Sequence, residues 1–318
     1  MNRIVLFANV ADVATKVLLP RILQEIDSKN DAMVVALFLE GDVHEVLSYW
    51  HFWKNRMIRS AQVILGSGRS DKAVLVPPIS SRRIIRKYGF PVYRLPGNDP
   101  NHSNVLHIIK NSLDADLAIN IYCRKLFRQP LLGSFKKMVN YHNGFLPRYR
   151  GLGASNWSIY MGETRSGYSF HLMSNKFDTG NILGSGEVSI GEEETPADLE
   201  RRKAIEAANG ASELLDTMID GQLGDPQLGM GCMHNRQSND LMVQVATPSS
   251  LSRDEWERRL KAFLRINTCL HNRWYSVTGI SPCKGPGKLA FCCKDGDWMQ
   301  VTSVNFWPVW VKMSFRRT

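Results

Sequence analysis

At 318 residues, 43% of them hydrophobic, the chain is long enough for one large domain and a smaller one, each with an apolar core. Its 40 Lys and Arg against 30 Asp and Glu leave a formal net charge of +10, which suits an anionic partner: a nucleic acid, a nucleotide-linked substrate or a polyglutamylated cofactor. The opening run MNRIVLFANVADVATK is too short to span a membrane and has no signal-peptide cleavage pattern, so no membrane partner and a cytoplasmic location are expected.

Residues 3–10 and 33–39 read as buried strands, with a helix between them, KVLLPRILQEID, whose Pro20 is expected in the first turn. No G-x-G-x-x-G follows the first strand, so this β-α-β opening lacks the main mark of a dinucleotide site. From His44 to Leu65 the pattern is helical, and Trp50 on its apolar stripe is a candidate substrate platform. GSGRSD at 66–71 lacks the Lys-Ser/Thr ending of a phosphate loop and reads as a turn. Arg82, Arg83, Arg86 and Lys87 form a solvated helix face that leads through Gly89 into the short strand PVYRL. HSNVLHIIKNSL reads as an amphipathic helix, and DLAINIYC as a buried strand ending near Tyr122. The C-terminal end of such a strand is where open α/β sheets bind ligands.

The densest polar chemistry lies in residues 139–183. Asn140 and His142 are two apart in an extended segment, so both project from one face. A His there can take a proton from an attacking amine, and an Asn amide can donate to the oxyanion of a carbonyl turning tetrahedral. Asp178 follows the strand-like SGYSFHLM and could return across the sheet to orient the imidazole. Beyond it come a strand, NILGSGEVSI, and a helix opened by Thr195 with Asp198 three residues later, whose apolar side is Ile205, Ala208, Leu215, Met218 and Ile219. GDPQLGMG at 224–231 is the expected boundary between a first domain, 1–225, and a small C-terminal α+β domain, 226–318. In the latter, DLMVQVAT reads as a strand, and Ser252 to Glu255 caps a helix buried through Trp256, Leu260, Phe263 and Leu264. RWYSVTGIS, KLAFCC and WMQVTSVNFW read as strands around the KGPGK and KDGD turns. The six cysteines include no C-x-x-C pair, and Cys232-Met233-His234 has no matching second half, so reduced thiols and no metal are expected.

The motif as a whole resembles the formyltransferase family that uses 10-formyltetrahydrofolate. The matching residues are Asn140-Tyr141-His142, the Leu146-Pro147-Arg148-Tyr149-Arg150-Gly151 turn, Trp157, Gly162-Glu163, His171 and Asp178-Thr179-Gly180, with Ala154 where many members have Pro. The resemblance implies a Rossmann-like α/β catalytic domain with a mainly parallel sheet, followed by a small mainly β domain. It implies Asn140, His142 and Asp178 as catalytic groups. It also implies that the residues after the DLAINIYC strand, Arg124, Lys125 and Leu126, help hold the folate pterin through main-chain groups, with Leu126 and Phe177 as apolar walls.

The implied reaction moves a formyl group from 10-formyltetrahydrofolate to a primary amine. His142 manages the amine proton, Asn140 with protonated His142 holds the oxyanion, and Asp178 keeps the imidazole oriented. Arg148 and Arg150 are candidate contacts to substrate phosphate, and His171 is a further substrate or supporting contact. Asn156-Trp157 looks like the nucleotide-sugar branch of the family, so the expected acceptor is a nucleotide-linked amino sugar. Methionyl-tRNA is the alternative, and a 10-formyltetrahydrofolate hydrolase with water as nucleophile is a third.

Overall fold

The first strand, β1 (Asn2–Asn9), is apolar without alternation, and Ile4 to Ala8 are all fully buried. That pattern belongs to a strand covered on both faces. Ile4, Leu6 and Ala8 enter one core, while Val5 and Phe7 enter another on the opposite face. The computed structural model describes residues 1–41 and 81–305. The helix expected over His44–Leu65, with Trp50, and the turn at 66–71 lie outside the described residues.

By its internal packing the chain forms two units, and the first comprises Met1–Gly151 and Thr164–Met233. Among its described residues a seven-stranded sheet joins β1, β2 (Ala32–Glu40), β3 (Val92–Arg94), β4 (Leu117–Ile121), β5 (Lys137–His142), β6 (Arg165–Leu172) and β7 (Ile182–Ser189). The spatial order is β3-β2-β1-β4-β5-β6-β7, parallel through β5 and antiparallel for the last two pairs. This is the Rossmann-like, mainly parallel sheet that the sequence implies.

Helix α1 (Val13–Asp27) covers one face and starts where the Asp12 carboxylate accepts the Ala14 N–H at 2.9 Å. Pro20 therefore lies inside the helix and not in its first turn. It removes a single N–H from the ladder, and the buried Leu18, Leu19, Ile22 and Leu23 around it hold the helix on the sheet. The other face is filled by aromatic rings: Phe7 stacks on Phe38 at 5.2 Å and meets Phe127 edge-on at 5.1 Å.

The predicted helix opening at Thr195 is present as α5 (Pro196–Asn209), whose Thr195 hydroxyl accepts the Asp198 N–H at 3.2 Å. Helix α6 (Ala211–Ile219) follows it after Gly210. Ala208, Leu215 and Met218 are buried as expected, but Ile205 is exposed, and Leu199, Ala204 and Ala207 are buried as well. Helices α2 (Ser81–Tyr88) and α3 (Ser103–Ile108) complete the α-helices of this unit among the described residues; α3 continues as one π-helical turn, Ile109–Leu113.

The second unit comprises Leu152–Glu163 and the chain from His234 onward. It thus includes α4 (Ala154–Tyr160), whose Trp157 stacks on His234 at 4.0 Å, meets Phe263 edge-on and donates its indole N–H to Asn239 at 2.7 Å. The first half of the expected strand DLMVQVAT, Asp240 to Val243, belongs to helix α7 (Arg236–Val243), and only Gln244–Val245 is a strand, β8. The reason lies just upstream. Asn235 and Ser238 form a reciprocal capping box that nucleates a helix across that sequence. Helix α8 (Arg253–Phe263) buries Trp256 completely, but Leu264 is an exposed, left-handed cap residue and not part of the buried face. Strands β8, β9 (Ile266–Leu270), β10 (Arg273–Pro282), β12 (Trp298–Val304) and β11 (Ala290–Cys292) form, in that order, a five-stranded sheet over Val277, Phe291 and Met299. All six cysteines are free thiols.

Candidate active site

Sheet register brings three polar residues onto one rung. Asn120 on β4 pairs with Asn140 on β5, which pairs with His171 on β6. Asn120 and His171 are each 2% exposed. Asn120 Nδ2 donates to Asn140 Oδ1 at 2.8 Å, and Asn140 Nδ2 lies 3.0 Å from His171 Nε2. His142, two residues past Asn140 on the same face, pairs across the sheet with Ser169. The fully buried Ser169 hydroxyl accepts the Leu146 N–H and donates to the Gly144 carbonyl, both at 3.0 Å, which fixes the loop leaving His142.

Asp178 arrives from the loop after β6 and closes the cluster. Its Oδ1 is 3.2 Å from His171 Nε2 and 3.5 Å from Asn140 Nδ2. Its Oδ2 accepts the Gly151 N–H at 2.7 Å and lies 3.6 Å from His142 Nδ1. One carboxylate therefore serves both imidazoles. Its backbone is left-handed, with φ of 50°. Two residues on, Gly180 runs against β6, where a Cβ would stand 1.8 Å from the Leu172 carbonyl oxygen. Burial alone would raise the Asp178 carboxyl, but His142, His171 and the Gly151 N–H together hold it well below the usual carboxylate range. Burial pushes the His142 imidazole below its ordinary value, and the Asp178 charge opposes that shift without cancelling it. His142 Nε2 is 2.9 Å from the Tyr149 carbonyl oxygen, an acceptor, so Nε2 carries a hydrogen and Nδ1 is the basic nitrogen.

His171 is buried inside this cluster and closer to Asp178 than His142 is, so it is better placed as an internal partner of Asn140 and Asp178 than as a substrate contact. Arg124 and Lys125 are exposed and Leu126 half-buried at the end of β4. Glu40 accepts the Arg124 N–H at 3.2 Å, and the Asn101 side chain ties down the Leu126 carbonyl at 2.9 Å and the Arg128 N–H at 2.7 Å. The Arg124 guanidinium reaches Asp12 at 3.1 Å. Phe177 is 45% exposed beside Asp178, and Arg148 is exposed. Arg150 points its guanidinium at Gln227 Oε1, at 2.6 and 3.1 Å. Among the described residues no three His, Cys, Asp or Glu side chains gather as metal ligands.

Several supporting residues carry no signal in the one-dimensional pattern. Gln227, in the Gly/Pro-rich stretch taken for a domain boundary, donates Nε2 to the carbonyls of Asp178 at 2.9 Å and Gly180 at 2.8 Å while holding Arg150. Gln227→Ala is expected to lower thermal stability by about 1–3 kcal/mol through unpaired carbonyls. It should also reduce turnover by roughly tenfold by loosening the Asp178 turn; thermal melts and steady-state rates on the same preparation check both.

Helix α5 contributes more than packing. Lys203, 0% exposed, donates Nζ to the Asn143 carbonyl at 2.9 Å. Asn143 Nδ2 donates to Glu200 Oε1 and to the Tyr122 hydroxyl, each at 2.8 Å. Burial pushes Glu200 up to about 7 and Lys203 down to about 7. Both groups hold the residue that follows His142.

Comparison with known proteins fits this architecture. Residues 94–215, which contain the whole rung and Asp178, match the family model described as Formyl transferase. A GDP-perosamine N-formyltransferase of Brucella melitensis is 34% identical over 127 residues, 40% of this chain and 49% of that relative, so the match spans about half of that protein's length. The methionyl-tRNA formyltransferase of Geobacter metallireducens is 31% identical over 248 residues, 72% of this chain and 74% of the relative. Among solved structures, the N-formyltransferase of Helicobacter canadensis in complex with folinic acid and dTDP-3-aminofucose shares the fold, with a TM-score of 0.57 at 14% identity over 94% of this chain and 98% of that one. A carboxylate, two imidazoles and an amide set on the rungs of a mainly parallel sheet, within a sequence match that extends over most of the chain, place this protein in the formyltransferase family.

Proposed function

We propose that this chain is an N-formyltransferase that moves the formyl group of 10-formyltetrahydrofolate to a primary amine on a nucleotide-linked amino sugar. The observation that carries the reading is the convergence of Asn140, His142, His171 and Asp178, linked by separations of 3.0 to 3.6 Å. When bound, the folate supplies a formyl carbon at the oxidation level to be transferred. The strand-end segment from Arg124 to Leu126 fits such a ligand: its main chain is anchored by Glu40 and Asn101, with Leu126 and Phe177 as partly exposed apolar surface.

Asn140 directs its Nδ2 hydrogens toward the oxygen that gains negative charge. His142 Nδ1 takes the amine proton, which is then held against Asp178 Oδ2. Tyr149, through its carbonyl, holds Nε2–H and sets the imidazole plane before substrate arrives, and Asp178 Oδ2, 3.6 Å from Nδ1, stabilises the imidazolium once Nδ1 has taken the proton.

The amino-sugar acceptor is supported by the Brucella relative, named for GDP-perosamine, and by the Helicobacter structure solved with a dTDP-linked amino sugar. The cytoplasm is its proposed location. A second reading, initiator methionyl-tRNA, is supported by the longer Geobacter match and by the net charge of +10. A panel of GDP- and dTDP-linked amino sugars beside methionyl-tRNA, all with 10-formyltetrahydrofolate, separates them by release of tetrahydrofolate. Turnover with a sugar nucleotide alone supports the first reading. Turnover with tRNA alone, weakening steeply as salt rises, transfers the assignment to the second. Formate released without any amine would replace both with a hydrolase.

A further inference from the structure

Asn120 is the next-to-last residue of β4, an otherwise apolar strand, and is 2% exposed. An amide there needs partners, and it has them on two sides. The Cys123 N–H donates to Asn120 Oδ1 at 3.1 Å, and Asn120 Nδ2 donates to the Cys123 carbonyl at 3.1 Å and to Asn140 Oδ1 at 2.8 Å. An Asn side chain can usually be turned over with little change of shape, exchanging its oxygen for its nitrogen. Here the backbone settles the matter. A peptide N–H is only a donor, so Asn120 Oδ1 must face Cys123 and Nδ2 must face Asn140. Asn140 in turn must present its oxygen to β4 and its NH2 to the loop that carries Asp178.

We propose that Asn120 is a positioning residue that fixes the Asn140 amide with its donor side toward the reacting carbonyl. This rests on the reading of Asn140 as the oxyanion donor. Asp178 Oδ1 favours the same orientation, at 3.5 Å, but it lies on the side of the amide where the reaction occurs. Its hold on Nδ2 slackens when an oxygen claims those hydrogens. The Asn120 bond is to the opposite end of the amide, and it persists while the reactive side exchanges partners. Turned over, Asn140 would aim a carbonyl oxygen at the Asp178 carboxylate and at the developing negative charge, replacing attraction with repulsion.

The test compares Asn120→Ala and Asn120→Asp, each alone and combined with Asn140→Ala, by tetrahydrofolate release from 10-formyltetrahydrofolate with the GDP- and dTDP-linked amino sugars as acceptors. Thermal melts on every variant identify any that are unfolded at the assay temperature. Asn120→Ala is expected to lower kcat by roughly 10- to 100-fold with KM within about threefold, less than the outright loss of a donor. Asn120→Asp keeps the size of the side chain and an acceptor for the Cys123 N–H, but turns an oxygen toward Asn140 Oδ1. It should therefore fall below Asn120→Ala in kcat, the reverse of the order that packing alone would produce. In the Asn140→Ala background, measured at raised enzyme concentration, both changes should cost less than about threefold more, because there is no amide left to orient. The inference is overturned if the losses persist in full in that background, if they fall on KM, or if Asn120→Asp equals the wild type. Wild-type turnover by Asn140→Ala itself would overturn both this inference and the oxyanion reading beneath it, whereas an inactive Asn140→Ala with additive Asn120 losses overturns this inference only.

Discussion

Asp178→Ala is expected to abolish measurable turnover and to lower stability by about 3–5 kcal/mol, the usual cost of removing one member of a buried charged network. The carboxylate accepts from Gly151 N–H and Asn140 Nδ2 and sits against both His142 and His171, so its removal strands several buried donors at once. Asp178→Asn separates charge from shape: one carboxamide oxygen can still accept the Gly151 N–H, but the negative partner of the imidazoles is gone. Turnover should fall nearly as far as in the alanine variant, with a much smaller drop in melting temperature. The pH dependence of stability follows from the direction of the shift. The folded-state value of Asp178 lies below the unfolded carboxylate value of about 3.9, so its contribution is complete above that pH and is lost as pH falls through the folded value. His142 acts in the same sense, because its folded value is also depressed: its contribution is complete above about pH 6.5 and declines as pH falls toward the folded value. Chemical denaturation between pH 3 and 8 should therefore show wild type and Asp178→Asn converging toward acid, and parallel curves would contradict the assigned ionisation.

The period-2 alternation of β5 was enough to place Asn140 and His142 on one face, and short-range signals such as the Thr195 cap located helices correctly. Sheet register was the part that could not be read. Asn120 looks like a polar interruption in an apolar strand until its alignment opposite Asn140 is known, and that alignment depends on pairing across twenty residues of chain. His171 stays open between a substrate and a supporting contact in the sequence for the same reason: its rung with Asn140 is set by the antiparallel pairing of β5 with β6. Gln227 was hidden by its neighbours, since Gly, Pro and Asp punctuation signals a turn but not what a side chain within the turn will hold. Lys203 and Glu200 lie outside the apolar positions read for α5, yet Lys203 is fully buried and Glu200 half-buried where they hold Asn143. The helix at Arg236–Val243 shows the converse failure, in which a local capping box outweighed an apparent strand composition.

Asn140→Ala and His142→Gln are expected to remove catalysis by different routes. Asn140 is half-buried at the C-terminal half of β5, and its truncation removes one donor from the charge-bearing oxygen, a loss of about 2.7–4 kcal/mol of barrier or roughly 10²–10³ in kcat. The melting temperature should stay within a few degrees of wild type, since the backbone pairing of β5 with both neighbours is untouched. His142→Gln retains an amide that can donate to the Tyr149 carbonyl in place of Nε2–H, so the loop keeps its tether while the proton acceptor is lost. Its effect should appear in the pH profile as well as in the rate. With His142 depressed by burial, wild-type kcat/KM is expected to rise with pH along an acid limb centred below the ordinary imidazole value of about 6.5. In His142→Gln that limb should vanish, leaving a low, flat rate. A limb that survives in His142→Gln would assign the proton transfer to another group, and His171, 3.2 Å from the same carboxylate, is the residue to replace next.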